Sequence, residues 1–352
     1  MENKDYQKYT ISTIEGYPQK FRKHLRALFI EKGIAQTDDQ MEIGKPSAVS
    51  IDGLDLNEQL KKCIYENANS AGVFEEWEFV KDYKYSVLFE TENFTALLNS
   101  TSTNSQAFDG KECPLFNKLS HPVYKDIDES ISLLKFNLKF EAVHPQTTEE
   151  LFIRYPVVVV FHKTYQIIEI RFDSLKHIFM ETPDSFYAKL IGDICEFIEK
   201  EFGHHLSTLQ LDFLIKEVQK DDTNVKLVAQ SMKMANGTYA QLDVGKNEQY
   251  VLPFIGELKN FLSEYSVEFE QVPTLKEAFE QFVFEKNFTS DYPWIELLWD
   301  NEIKTRSIHV KITFNYYQKG YCLLQHYFNN ALIGMERMNN VVSFISSSRS
   351  NP

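Results

Sequence analysis

Apolar and polar positions alternate most clearly in LLKFNLKFEAVH, residues 133–144. Leu134, Phe136, Leu138, Phe140 and Ala142 are interleaved with Lys135, Asn137, Lys139 and Glu141. A period of two predicts a strand with one face in the core and one in water. LFIRYPVVVVFHKTYQIIEIRFD (151–173) follows as two apolar runs broken at His162-Lys163-Thr164. That pattern predicts a hairpin whose first strand is buried on both faces. The period then changes: Tyr187, Leu190, Ile191, Ile194, Ile198 and Phe202 form one helical stripe, opened by Pro183-Asp184 and stopped by Gly203.

The order of hairpin and helix comes round again. NVKLVAQSMKMANGTYAQLDVG (224–245) contains two strand patterns joined by Asn236-Gly237, a pair that favours a type I′ turn. A helix is expected from Gln249 to Tyr265. A third hairpin is expected over 294–317, turning at Asp300 to Glu302, and GYCLLQHYF (320–328) adds a further strand pattern. The fold class predicted is α+β: a largely antiparallel sheet built from β-hairpins with intervening helices, preceded by a smaller mixed N-terminal region. In that region Leu56 to Tyr65 reads as a short helix, and VFEEWEFVKDYKYSVLFE (73–90) enters a strand near Tyr85. LNSTSTNSQAFDGK (98–111) has little to bury and reads as a flexible loop. The expected division is therefore 1–97, a linker at 98–122, and an α+β domain over 123–352.

Charge changes the picture at the N-terminal end. The chain has 352 residues and a formal net charge of -14, yet residues 1–35 carry seven Lys and Arg against four Asp and Glu. Within YPQKFRKHLRALFIEKG (17–33), Phe21, Leu25, Leu28 and Phe29 define the apolar face of a helix. Lys20, Arg22, Lys23 and Arg26 fan around the other side, and Gly33 stands where a C-cap is expected. This basic surface is a candidate contact for nucleic acid, against the alternative of an ordinary solvated face. A second candidate is a polar sheet face. His309 and Lys311, flanked by Ser307 and Thr313, lie opposite Ile308, Val310 and Ile312, and Lys135 and Lys139 form the matching wet face of the earlier strand. Cations on an open sheet with tyrosines at its margin suit single-stranded nucleic acid.

Catalytic signatures are few. Glu169-Ile170-Arg171 is the nearest approach to the strand-borne acid and lysine of a metal-dependent nuclease, and arginine is a poor base because it does not deprotonate. Glycine-cradled phosphate motifs, nucleophile elbows and zinc-helix motifs do not occur, so no cofactor and no metal are expected. The acidic FEEWEF (74–79) is a solvated edge or a contact for a basic partner. Cys63, Cys113, Cys195 and Cys322 are far apart and read as free thiols. With no apolar run long enough to span a bilayer, this predicts a cytoplasmic chain without a membrane. The function expected is that of a non-catalytic interaction subunit binding nucleic acid or a partner protein. Microbial nucleic-acid handling and antiphage defence are settings it would fit. The alternative is a metal-dependent nuclease or other hydrolase assembled from distant carboxylates.

Overall fold

The computed structural model describes residues 2–37, 48–218, 225–245, 251–299, 307–328 and 334–349. The chain divides into two compact units, Met1–Thr208 with Leu332–Arg337, and Leu209–Ala331 with Met338–Pro352. The fold is α+β with largely antiparallel pairing. Residues 98–122 lie inside the first unit.

The first unit begins with helices α1 (Glu2–Gly16) and α2 (Gln19–Glu31) and a small parallel pair, β1 (Ala35–Gln36) and β2 (Val49–Ser50). Phe21, Leu25 and Phe29 of α2 are buried as the sequence predicts, whereas Leu28 is half-buried. Gly33 ends the helix at φ +70°, its N–H donating to the Ile30 carbonyl at 3.0 Å and that of Ile34 to Phe29 at 2.8 Å. Those bonds satisfy carbonyls that a helix end leaves open. Helices α3 (Leu56–Glu66) and α4 (Asn69–Val80) follow, α3 being held by an Asp55–Glu58 capping box.

The sheet of this unit contains β3 (Tyr85–Glu90), β4 (Gln106–Ala107), β5 (Val123–Asp126), β6 (Ile131–Val143), β7 (Glu150–His162) and β8 (Ile167–Phe172). Its order is β3-β8-β7-β6-β5-β4, with β9 (Ser207–Thr208) also on β3. Of these strand pairs only β4 and β5 run parallel. The β7–β8 hairpin is the one expected at the His162-Lys163-Thr164 break. Between β3 and β4, α5 (Phe94–Asn104) forms where composition suggests a loop. Asn93 caps it by accepting from the Ala96 N–H at 3.0 Å, and Phe94, Leu97 and Thr101 give it a buried stripe. Helix α6 (Phe186–Phe202) packs Phe197 edge-on to Phe136 of β6, with centroids 5.0 Å apart, and Gly203 caps it at φ +76°.

The other face of β6 is where expectation and structure part. Residues 131–138 are buried on both faces, Lys135 and Asn137 included. Arg154 of β7 pairs with Lys139 of β6 in the antiparallel register, so its side chain shares the face expected to be wet. That face is covered by α1 and α4, whose polar side chains meet those of the sheet.

The second unit contains α7 (Phe213–Glu217), β10 (Val225–Lys233), β11 (Tyr239–Asp243), α8 (Ile255–Glu264), α9 (Ser266–Glu270), α10 (Pro273–Phe288), β12 (Asp291–Trp299), β13 (Ile308–Thr313) and β14 (Leu323–Tyr327). The sheet order is β11-β10-β12-β13-β14, antiparallel throughout. Helix α11 (Glu336–Arg349) supplies Val341, Val342 and Ile345 to its core. The turn expected at Asp300 to Glu302 lies outside the described residues, as does Gln249, and the helix expected from Gln249 begins at Ile255.

The β10–β11 hairpin forms at Asn236-Gly237, but its turn is not type I′. Gly237 has φ +82°, while Asn236 is not in the left-handed region, and the Gly237 N–H donates to the Met234 carbonyl at 2.8 Å. Asn236 instead accepts from the Thr238 N–H through Oδ1 at 3.0 Å. This is a longer turn with one left-handed residue at its end. Gly237→Val is expected to destabilise the second unit by about 1–2 kcal/mol, because a β-branched residue is disfavoured at that φ. An unchanged midpoint in urea denaturation would contradict the assigned turn.

Candidate interaction surfaces

The sequence-predicted basic residues fall on three separate settings. On α2, Lys23 is exposed, and Lys20, Arg22 and Arg26 are half-buried. Arg22 donates to Asn57 Oδ1 and Arg26 to Gln59 Oε1, which tethers α2 to α3. Both acceptors are neutral amides, so these contacts order the guanidinium groups without cancelling their charge. On β13 the predicted alternation is present: Ile308, Val310 and Ile312 are buried, and His309, Lys311 and Thr313 are half-buried. Here a carboxylate does intervene. Glu296, opposite Lys311 in the register, lies 3.0 Å from His309 Nε2 and 3.6 Å from Lys311 Nζ. Lys311 also sits 3.6 Å over the Trp294 ring. Burial opposes ionisation of Glu296, yet the hydrogen bond from His309 and the nearby Lys311 ammonium hold its carboxyl below the usual range. The face is polar and aromatic, but much of its positive charge is compensated within the sheet.

The third setting corrects the expectation for Lys135 and for FEEWEF together. The acidic stretch belongs to α4, a helix buried on most sides, and Glu75 and Glu78 point at the sheet. Arg154 Nη2 donates to Glu75 Oε1 and to Glu78 Oε2, each at 2.7 Å. Lys135 donates to Glu75 and lies 3.6 Å from Glu78. Tyr6 of α1 donates to Glu75 at 2.8 Å, and Thr10 accepts from Arg154 at 3.2 Å. All four ionic side chains are fully buried. Lys135 therefore offers nothing to a phosphate, and the basic partner of the acidic stretch is internal. Burial works against the Glu75 carboxylate, and Arg154 and Lys135 overcome it, holding its pKa down at about 2. Lys139, farther along β6, is half-buried with Nζ 5.3 Å from the Tyr9 ring.

Glu169 has a similar fate. It accepts from Arg171 Nη2 at 2.6 Å and meets His162 Nε2 at 2.9 Å, and all three side chains are buried. The strand-borne acid that motivated a nuclease reading is thus committed to a neighbouring cation and imidazole within the sheet. Among the described residues, no group of three or more His, Cys, Asp or Glu is placed to hold a metal ion.

The surface that sequence reading missed is apolar. Thirteen large apolar side chains are exposed among the described residues, and eight of them lie between Phe254 and Phe284. Phe261 and Tyr265 are one turn apart at the end of α8; Leu275 and Phe282 are two turns apart on α10. Phe261, Phe269 and Phe279 contact one another in series, with centroids 6.1 and 5.9 Å apart, and tie the three helices together. Among the described side chains of α8, α9 and α10 only Val283 is buried. The phenylalanines of this stretch are visible in the sequence, but nothing there separates those that face inward from those that face water. No helix among the described residues is long and apolar enough to cross a membrane. Compared with models of known protein families and with curated proteins, the chain matches none of them.

Proposed function

We propose that this chain is a non-catalytic interaction subunit that engages a partner protein through the outer apolar face of α8–α10. The observation that supports it is the concentration of exposed Phe254, Phe261, Val272, Leu275 and Phe282 in one short helical segment. A concentration of exposed apolar side chains in one segment is a recognised mark of interaction sites. Each such side chain, once covered, contributes on the order of 1.5–3 kcal/mol. The buried ionic clusters give the first unit a different role, that of a closed scaffold. Cys63, Cys113, Cys195 and Cys322 are free, which suits a reducing cytoplasm.

A benzophenone photocrosslinker in place of Phe282 tests this reading in the source cells. The expected result is a discrete protein adduct, resistant to nuclease, that a crosslinker in place of Lys23 does not give. An adduct released by nuclease, or no adduct from position 282, would overturn it.

A second reading, nucleic-acid binding at α2, is supported by the uncompensated charge of Arg22 and Arg26. On this reading, replacing Lys20, Arg22, Lys23 and Arg26 with Gln weakens binding on every sequence alike. The log-log salt slope then falls by roughly 0.7–0.9 for each phosphate no longer neutralised. Fluorescence anisotropy at two salt concentrations reads it; salt-independent or absent wild-type binding would exclude nucleic acid as the partner.

A further inference from the structure

The second unit holds a groove of about 1010 Å³ between α7, α8, α10 and the start of β12. Ile215, Leu262, Val283, Phe284 and Tyr292 give it apolar walls. Its size matches the upper end of small-molecule sites, which combine such walls with a few convergent polar groups. The distribution of charge within it is unlike that of the helices that form it. From Ile255 to Phe288 the chain carries seven glutamates and three lysines. Two of those lysines, Lys259 and Lys276, line the groove, but only one of the glutamates, Glu280, does. Helix α7 and the residue before it add Lys216 and Asp212. Among the described residues, neither Lys259 nor Lys276 forms an ion pair. The groove lining thus carries three lysines against two carboxylates, in a protein whose acids outnumber its bases.

We propose that this groove binds an amphiphile with an anionic head and an unbranched apolar body, a long-chain carboxylate being the simplest case. The alkyl chain lies against Leu262, Val283 and Phe284, and the head group pairs with Lys259 and Lys276. The neutral and cationic versions of such a ligand gain the apolar contacts alone. This assignment rests on the groove and not on the outer face, so it stands or falls separately from the partner-protein reading.

Isothermal titration of the full chain with monomeric dodecanoate, and with dodecyltrimethylammonium as its cationic counterpart, tests the proposal. Dodecanoate is expected to bind saturably at one site, at least about tenfold tighter than the cation. Lys259→Gln with Lys276→Gln should remove that preference and leave the melting temperature unchanged, since Lys259 is exposed and Lys276 half-buried. Phe284→Ser should weaken both amphiphiles. Equal affinity for the two heads, insensitivity to the lysine pair, or no saturable binding would overturn the proposal. Binding to anionic phospholipid vesicles without binding to monomeric dodecanoate would also overturn it, because it places the contact on a membrane surface.

Discussion

Arg154→Met is expected to destabilise the first unit by about 3–5 kcal/mol, among the largest effects any single substitution in this protein should have. The guanidinium is fully buried and donates to both Glu75 and Glu78 at 2.7 Å. Without it, two carboxylates on adjacent turns of α4 face Lys135 alone in a medium of low dielectric. The pair would be left with an excess buried negative charge, which is costlier than the loss of the ion pair itself. Burial already pushes the Glu78 carboxyl above its ordinary range, against the pull of Arg154 and Lys135. Removing Arg154 takes away the first of those two pulls and shifts Glu78 further toward its neutral form. Adding Glu78→Gln to Arg154→Met is therefore expected to recover part of the loss, and a double-mutant cycle in urea would measure the coupling. Losses that simply add would show that the two groups do not act together.

The same cluster gives acid sensitivity. Glu75 stays ionised in the folded chain down to about pH 2, against an ordinary glutamate value of 4.5. Its contribution is complete above the ordinary value and is lost as the pH falls from there toward 2. Glu169, held well below the usual range by Arg171 and His162 despite burial, acts in the same direction. Glu78 acts in the opposite one, since a raised carboxyl favours the folded state at low pH. Asp82, raised by burial, acts with Glu78, but the strongly lowered Glu75 and Glu169 are expected to dominate and give a net fall in melting temperature on acidification. The fall should be shallower in Glu75→Gln.

Gly72→Ala is the second large effect. A Cβ at position 72 would stand 1.8 Å from the Gly110 carbonyl oxygen and 2.8 Å from its carbon, both backbone atoms that cannot turn aside. Either α4 or the segment around Gly110 must move, and overpacking of this kind costs about 1–3 kcal/mol, with the upper end expected where backbone meets backbone. The Cys113 N–H, three residues beyond Gly110, donates to Glu75 at 3.3 Å, so the displacement reaches the ionic cluster. Cys113 reports on it directly. Burial pushes its thiol up to about 12, which keeps it inert toward a disulfide reagent in the native protein. In Gly72→Ala it should react, while Cys63, buried on α3, should not. Unchanged reactivity at Cys113 with unchanged stability would mean that the close approach of α4 to Gly110 is wrong.

The contrast between Lys135 and Lys311 shows what a sequence reveals and what it hides. Both sit at alternating positions of a strand, and the alternation correctly places β6, β13 and the faces on which these lysines lie. For Lys311 the polar face is half-exposed, as the pattern implies. For Lys135 the same pattern misleads, because its partners Glu75 and Glu78 lie far back in the chain, on a helix that has no clear apolar stripe. Periodicity reports which side a residue is on, and not whether another element will bring a counter-charge to that side. Helix α4 is hidden for the same reason: Glu75 and Glu78 look like solvent-facing residues until Arg154 is placed opposite them. The hairpins, α6 and the basic α2 depend on local signals such as Gly33, Gly203 and Gly237, and these were legible. The exposed phenylalanines of α10 were not, since PTLKEAFEQFVFEKNF carries apolar residues on several sides of the helix.

The proposed interface requires that α8–α10 lack a cover within this chain. Hydrogen exchange of the purified protein, followed by mass spectrometry, measures that directly. Backbone amides of Ile255–Phe288 are expected to exchange within minutes, because few buried contacts oppose local opening there, while those of β6, β7 and β8 remain protected for hours. Adding the partner captured at position 282 should slow the helices and leave the sheet unchanged. Protection of the helices equal to that of the sheet in the protein alone would show that their apolar side chains are already covered, and would contradict the proposal.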